Sequence, residues 1–68
     1  MNEAYLKNVV EAALLAAGRT LTLNELLLVF EAFTRPTSEQ VRTALVQLGA
    51  DYEGRGIEIK ETAAGFRE

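Results

Sequence analysis

The sequence predicts an α+β domain, mainly α with a small β-hairpin at its end. Apolar residues recur at spacings of three and four in three stretches, separated by Gly18 and Pro36, as in amphipathic helices. A capping-box pattern precedes the second and third stretches. After Gly54 the pattern changes to alternating apolar and charged residues, which is typical of a strand with one buried face.

The first helix is predicted over residues 2–17, and Gly18 ends it in the left-handed conformation of a C-terminal cap. Its core stripe consists of Leu6, Val9, Val10, Ala13 and Ala17. Tyr5, Ala12 and Leu15 share a different face, at i, i+7 and i+10. This second face is either an ordinary surface with scattered apolar residues or part of a protein interface.

A second helix is predicted from the capping box Thr22–Glu25 to about Phe33. Its core stripe consists of Leu23, Leu26, Leu27 and Phe30. Leu28, Val29 and Phe33 extend the apolar surface around much of the remaining circumference. A helix that is apolar on most sides is normally buried on most sides, so we expect it to contact another chain or a missing part of its own.

A third helix is predicted from about Ser38 to Asp51 or Tyr52, after the break at Pro36 and a second capping box at Thr37–Gln40. Its inward residues are Val41, Ala44, Leu45, Leu48 and Tyr52. Its outward residues are Glu39, Arg42, Thr43, Gln47 and Asp51.

The hairpin is predicted after the glycine turn at residues 54–56, with Ile57 and Ile59 facing inward and Gly65 at a positive φ before Phe66. The predicted order is a helix, a short extended link at 19–21, two further helices and a hairpin. This is the order of a winged helix-turn-helix domain, which has three helices plus a wing. The sequence Gly-Arg-Gly also allows a phosphate-binding loop. A structural turn, with Arg55 bridging to Glu53 or Asp51, is the favoured interpretation.

The net charge of −3 argues against unaided binding to DNA, since Lys and Arg contacts to phosphates carry most of that affinity. The third helix would be the DNA reader of such a fold, yet its one arginine, Arg42, is set against Glu39 and Asp51. A winged-helix transcriptional regulator that binds DNA remains the alternative function.

The chain has no cysteine and no histidine, which argues against an enzyme, a cofactor and the usual metal sites. Glu58 and Glu61 could be proposed as an acid/base pair, but residues three apart on a strand point to opposite faces. No apolar run approaches the roughly 20 residues of a membrane span, and no secretory signal is visible. We therefore expect a cytoplasmic protein.

Three blocks carry a resemblance to a known family. They are VVEAALLAAGRTLTLNEL at 9–26, the Pro36 break with the helix ending VQLGADYEGRGIEI, and ETAAGFR. Together they resemble the N-terminal winged-helix domain of the segregation and condensation protein B family, over nearly the whole chain.

The resemblance implies a non-catalytic subunit of a bacterial SMC–kleisin condensin complex that acts in chromosome condensation and segregation at the nucleoid. Members are similar in having two winged-helix domains, of which the first mainly dimerises and the second grips the kleisin, segregation and condensation protein A. Residues 1–68 resemble the first domain alone, so we expect a fragment of a longer protein, with an unpaired edge on its wing. The candidate homodimer residues are Tyr5, Ala12, Leu15, Leu28, Val29 and Phe33.

Overall fold

The computed structural model of the chain describes residues 2–68, and Met1 lies outside that range. Three helices, α1 (Glu3–Ala17), α2 (Leu23–Leu27) and α3 (Ser38–Asp51), precede an antiparallel hairpin of β1 (Lys60–Thr62) and β2 (Gly65–Arg67). The order confirms the predicted α+β class and matches a winged-helix arrangement.

Helix α1 begins and ends as its sequence predicts. The Asn2 Oδ1 atom accepts a hydrogen bond from the backbone N–H of Ala4 at 2.7 Å, and Gly18 ends the helix with φ 62°. Leu6, Val10 and Leu14 are buried, whereas Val9, Ala13 and Ala17 pack at the margin of the core. Leu14 was not in the predicted stripe, although it continues the spacing of four from Leu6 and Val10.

Helix α2 is much shorter than predicted, since it ends at Leu27 instead of near Phe33. The guanidinium of Arg35 donates from Nε to the Leu27 carbonyl at 3.0 Å and from Nη2 to the Phe30 carbonyl at 3.1 Å. A carbonyl at a helix end needs a partner once the helix stops, and Arg35 provides one. The chain turns here, so that Phe30 is buried while Leu28, Val29 and Phe33 face outward.

Helix α3 follows the prediction closely. The Thr37 hydroxyl accepts from the Gln40 N–H at 3.1 Å, and the Gln40 side chain accepts from the Thr37 N–H at 2.8 Å. The equivalent capping box at Thr22 and Glu25 begins α2. All five residues predicted to face inward from α3 are buried: Val41, Ala44, Leu45, Leu48 and Tyr52.

The first strand begins at Lys60, three residues later than the alternation from Ile57 suggested. Gly54 and Gly56 both have positive φ, at 78° and 77°, which confirms the predicted turn. The chain leaves that turn unpaired, so Ile57 is 48% exposed and Ile59 is only partly buried.

The predicted bridge from Arg55 to Glu53 or Asp51 does not form. The Asp51 carboxylate pairs instead with Lys7 of α1 at 2.5 Å. The backbone N–H of Arg55 donates to the Tyr52 carbonyl at 2.9 Å, which closes the turn after α3. The turn is therefore held by its backbone and not by the arginine side chain.

Strand β2 lies between β1 and the link that joins α1 to α2. Leu21 and Phe66 exchange both backbone hydrogen bonds, at 2.7 and 2.6 Å. Gly65 adopts φ 136°, and a Cβ atom at this position would overlap the Leu21 carbonyl oxygen. Strand β2 thus has a backbone partner on both sides, β1 and Leu21. The unpaired edge expected of the wing is therefore that of β1.

The core lies mainly between α1 and α3, and Val10, Leu26 and Val41 are its most completely buried side chains. Leu21 and Phe66 close it on the side of the hairpin. Within residues 2–68, no helix combines the length and apolar character needed to cross a bilayer.

Candidate protein–protein interface

The six residues predicted to form an interface are all solvent-exposed. Phe33 is the most exposed, at 85%, and Leu15 follows at 64%. Tyr5, Leu28 and Val29 each expose more than half of their surface, and Ala12 is also exposed. Exposure shows that the fold of this chain does not use these side chains for its core.

Tyr5 and Phe33 are brought together from distant parts of the sequence. They line one open cleft of about 490 Å³, with Thr34, Arg35, Pro36 and Gln40 forming its other walls. Pro36 is buried there, and the Arg35 side chain is fixed by the carbonyls at the end of α2. The cleft therefore has two exposed aromatic rings, and its walls include a buried proline and an arginine that is held by two hydrogen bonds.

Leu28 and Val29 lie in the turn between the two carbonyls that Arg35 binds, so they belong to the same end of the molecule as Phe33. Leu15 is ten residues after Tyr5 on α1, which places it about 15 Å away along the helix. It lines a separate cavity of about 260 Å³ with Leu14, Gly18, Arg19, Arg67 and Glu68. The structure thus brings Tyr5 and Phe33 together in one cleft, while Leu28 and Val29 lie in the preceding turn and Leu15 lies at a separate cavity.

Two further exposed apolar residues were not predicted, Val46 and Ile57. Val46 is 73% exposed and lines a groove of about 240 Å³ between α3 and the hairpin, together with Ile59 and Phe66. Val46 lies outside the stripe formed by Val41, Ala44, Leu45 and Leu48, and this spacing was the available signal. Ile57 was expected to be buried on the strand, and it is exposed because pairing starts only at Lys60.

The basic residue on the outward face of α3 is engaged within the chain. The Arg42 Nη1 atom lies 3.6 Å from a Glu61 carboxylate oxygen, and its guanidinium carbon lies 6.0 Å from the centroid of the Phe66 ring. Glu61 thus joins Glu39 and Asp51, the two carboxylates of α3, in offsetting the charge of Arg42. The helix expected to read DNA therefore presents little unpaired positive charge.

The family model for the segregation and condensation complex subunit ScpB matches residues 8–68. The chain belongs to this family. It is also similar to a segregation and condensation protein B homolog of Coxiella burnetii (strain RSA 493 / Nine Mile phase I), with 34% identity over 67 residues. The alignment covers 98% of this chain, which spans about a third (32%) of the length of that relative. No solved structure matches the chain.

One charged pair in this ScpB-family domain has a local structural role. Arg19 donates to the Glu25 carboxylate at 2.7 Å, and Glu25 also accepts from the Thr22 N–H. The hydrogen bond from Arg19, assisted by that from Thr22, lowers the pKa of Glu25 to about 2. This pair joins the link after α1 to the start of α2, so it orders the backbone and is no candidate for acid/base chemistry.

Metal binding finds no support in the part of the chain that the structure describes. No group of three or more His, Cys, Asp or Glu side chains within residues 2–68 could hold an ion. The candidate interface remains the exposed apolar surface that includes Tyr5 and Phe33.

Proposed function

We propose that this domain forms homodimers as part of a non-catalytic subunit of a bacterial SMC–kleisin condensin complex. The observation that carries the proposal is the exposure of Phe33 beside Tyr5 in one cleft, with Leu28 and Val29 also exposed, on a domain whose core does not include them. Family membership supports the association with chromosome segregation and condensation.

A two-fold dimer would cover this surface economically, because each copy presents the same patch to the other. Stable interfaces bury about 800 Å² per partner and are enriched in aromatic residues at their centre. Phe33 and Tyr5 fit that central position, with Leu28 and Val29 beside them. Ala12 and Leu15, further along α1, would lie towards the rim.

The wider assembly is proposed from the family alone. The chain spans 32% of the length of its Coxiella burnetii relative. The resemblance of its sequence to the family supports assigning it to the N-terminal winged-helix domain of a two-domain protein. Contacts with the kleisin and the SMC protein would belong to that larger protein. The location would be the cytoplasm, at the nucleoid through the SMC complex.

Sedimentation equilibrium tests the dimer, with Val29→Ser as the interface variant and Val46→Ser as its matched control. Both valines are exposed, so neither change opens a cavity in the core. Val29 is in the proposed interface, whereas Val46 lines the separate groove between α3 and the hairpin. We expect a dimer for the unmodified chain and Val46→Ser, and at least a tenfold weaker dimer for Val29→Ser.

A monomer up to high micromolar concentration would contradict the proposed dimer, as would equal weakening by both substitutions. The alternative function, binding of DNA by a transcriptional regulator, has its own test. Tight binding to duplex DNA at physiological salt, with the steep salt dependence of phosphate contacts, would favour it over the proposal.

A further inference from the structure

The cleft that holds Tyr5 and Phe33 continues into a second cleft, which is acidic. This acidic cleft has a volume of about 330 Å³, lies between α1 and α3, and is lined by Glu3 and Glu39. Gln40 lines both clefts, so the two aromatic rings and the two carboxylates are on adjoining surfaces. A partner that covers the rings therefore also comes close to the carboxylates.

Neither of these carboxylates is paired with a cation within residues 2–68. Lys7 is four residues after Glu3, but it pairs with a carboxylate at the end of α3 at 2.5 Å. Arg42 is three residues after Glu39, but its ion pair is with a carboxylate of the hairpin, at 3.6 Å. The dipole of a helix favours acidic residues in its first turn, which explains their type. It does not provide them with a cation.

The aromatic cleft has the opposite imbalance, a cation without a carboxylate. Arg35 lines that cleft and forms no ion pair within residues 2–68. Its guanidinium group donates two of its five N–H groups to the Leu27 and Phe30 carbonyls, so three remain for a partner. The two bonds also hold the side chain in place, and a side chain that is already ordered loses less entropy when it binds.

We propose that a second copy of the chain covers both clefts, and that Arg35 of each copy pairs with Glu39 of the other, beside Glu3. In a two-fold dimer every contact occurs twice with the roles exchanged. A face with a cation and carboxylates at different positions can therefore meet itself with opposite charges together. The inference rests on the proposed dimer and adds the charges that determine how its two copies are oriented.

Charge complementarity favours a second copy over a basic partner of another kind. A strongly basic segment would satisfy the Glu3 and Glu39 carboxylates, but Arg35 on the adjoining surface would repel it. A second copy brings a carboxylate for the arginine and an arginine for the carboxylate. It also brings a second Tyr5 and Phe33, whose rings are exposed in the single chain.

Charge reversal tests the pairing by sedimentation equilibrium. Glu39→Lys and Arg35→Glu each place like charges together at two equivalent contacts, so each variant alone should dimerise at least about tenfold more weakly than the unmodified chain. An equal mixture of the two variants should recover the dimer. The reason is that a heterodimer of the variants has opposite charges at both contacts.

Glu53→Lys and Arg55→Glu are the matched controls, because they change the net charge by the same amounts at exposed positions in the turn after α3. This turn is at the end of α3 opposite to Glu39. Salt screens exposed charges more than about 8 Å apart, so each control should change the dimer constant by less than about twofold. Circular dichroism checks the fold of every variant, and Glu39→Lys retains the test if Arg35→Glu fails to fold.

The outcomes distinguish this inference from the proposed dimer. A dimer of unmodified strength for Glu39→Lys would overturn the charge pairing and leave the dimer intact. A mixture that associates no better than the separate, folded variants would also overturn the pairing, as would equal weakening by Glu53→Lys. A monomeric unmodified chain up to high micromolar concentration would overturn both.

Discussion

Helix α3 and the segment from Leu28 to Arg35 are both rich in apolar residues, but they place those residues differently. In α3 the regular stripe from Val41 to Tyr52 faces the core and is buried throughout. In the second segment Phe30 alone is buried, while Leu28, Val29 and Phe33 face solvent. The same kind of residue stabilises the fold in one region and remains available to a partner in the other.

The difference arises from how each helix ends. Helix α3 continues for almost four turns, since its capping box starts it and nothing interrupts it before Tyr52. Helix α2 stops after five residues, where Arg35 binds the Leu27 and Phe30 carbonyls. Arg35 thus fixes the backbone where the helix ends, between the buried Phe30 and the exposed side chains of Leu28 and Val29.

The largest expected effect separates two phenylalanines in that segment. Phe30→Ala should lower the free energy of unfolding by about 3–5 kcal/mol, because it removes a ring from a packed core. Phe33→Ala should change it by less than about 0.5 kcal/mol in a dilute, monomeric sample, since the ring is 85% exposed. Urea unfolding followed by circular dichroism measures both.

The same pair tests whether the exposed residues serve association. At concentrations where the unmodified chain is dimeric, Phe33→Ala should reduce apparent stability through the loss of the dimer. A large effect of Phe33→Ala at high dilution would instead show that this ring supports the fold itself. The distinction between the two regions would then fail.

A smaller change in stability is expected at two glycines, one in the hairpin and one in α3. The two substitutions should act in opposite directions. Gly65→Ala should destabilise the domain by more than about 1 kcal/mol, because φ is 136° and the new methyl group would meet the Leu21 carbonyl. Gly49→Ala should stabilise it by about 0.5–1 kcal/mol, since this glycine is within α3 and has open space around it. Thermal unfolding of both variants gives the signs, and destabilisation by both would contradict this assignment.

An effect of similar, small size concerns the arginine at the end of α2. Arg35→Ala should cost about 1 kcal/mol, because two carbonyls lose a charged donor but remain accessible to water. Arg55→Ala, at an exposed arginine in the glycine turn, is the control and should change stability by less than about 0.5 kcal/mol. The two variants are compared by their denaturant midpoints, provided that the dependence of the unfolding free energy on denaturant is the same. Equal losses of stability in both variants would show that Arg35 has no special role.

The sequence was sufficient for the features that depend on neighbours along the chain. The bounds of α1 and α3, both capping boxes, the Gly18 cap and the glycine turn follow from residues within one helical turn of each other. The end of α2 depends on Arg35, eight residues after the Leu27 carbonyl it binds, and periodicity does not report such a contact. The start of β1 depends on pairing with β2, which alternation in a single strand cannot locate.

The interface residues divide in the same way. Positions outside the helical stripes, such as Leu15 and Leu28, could be identified as exposed from spacing alone. Their grouping could not, because the cleft joins Tyr5 of α1 to Phe33 through the turn that Arg35 fixes.

The pairing of Glu61 with Arg42 has a consequence for how copies of this domain can meet. Glu61 is opposite Phe66 in the hairpin, and its exposed carboxylate places a charge on the free edge strand, where a strand of a second copy would pair. Inward charges, lysines and short length all make an edge a poor template for another strand. Strand β1 has a lysine, Lys60, and is only three residues long, so it is a poor template for a strand of a second copy.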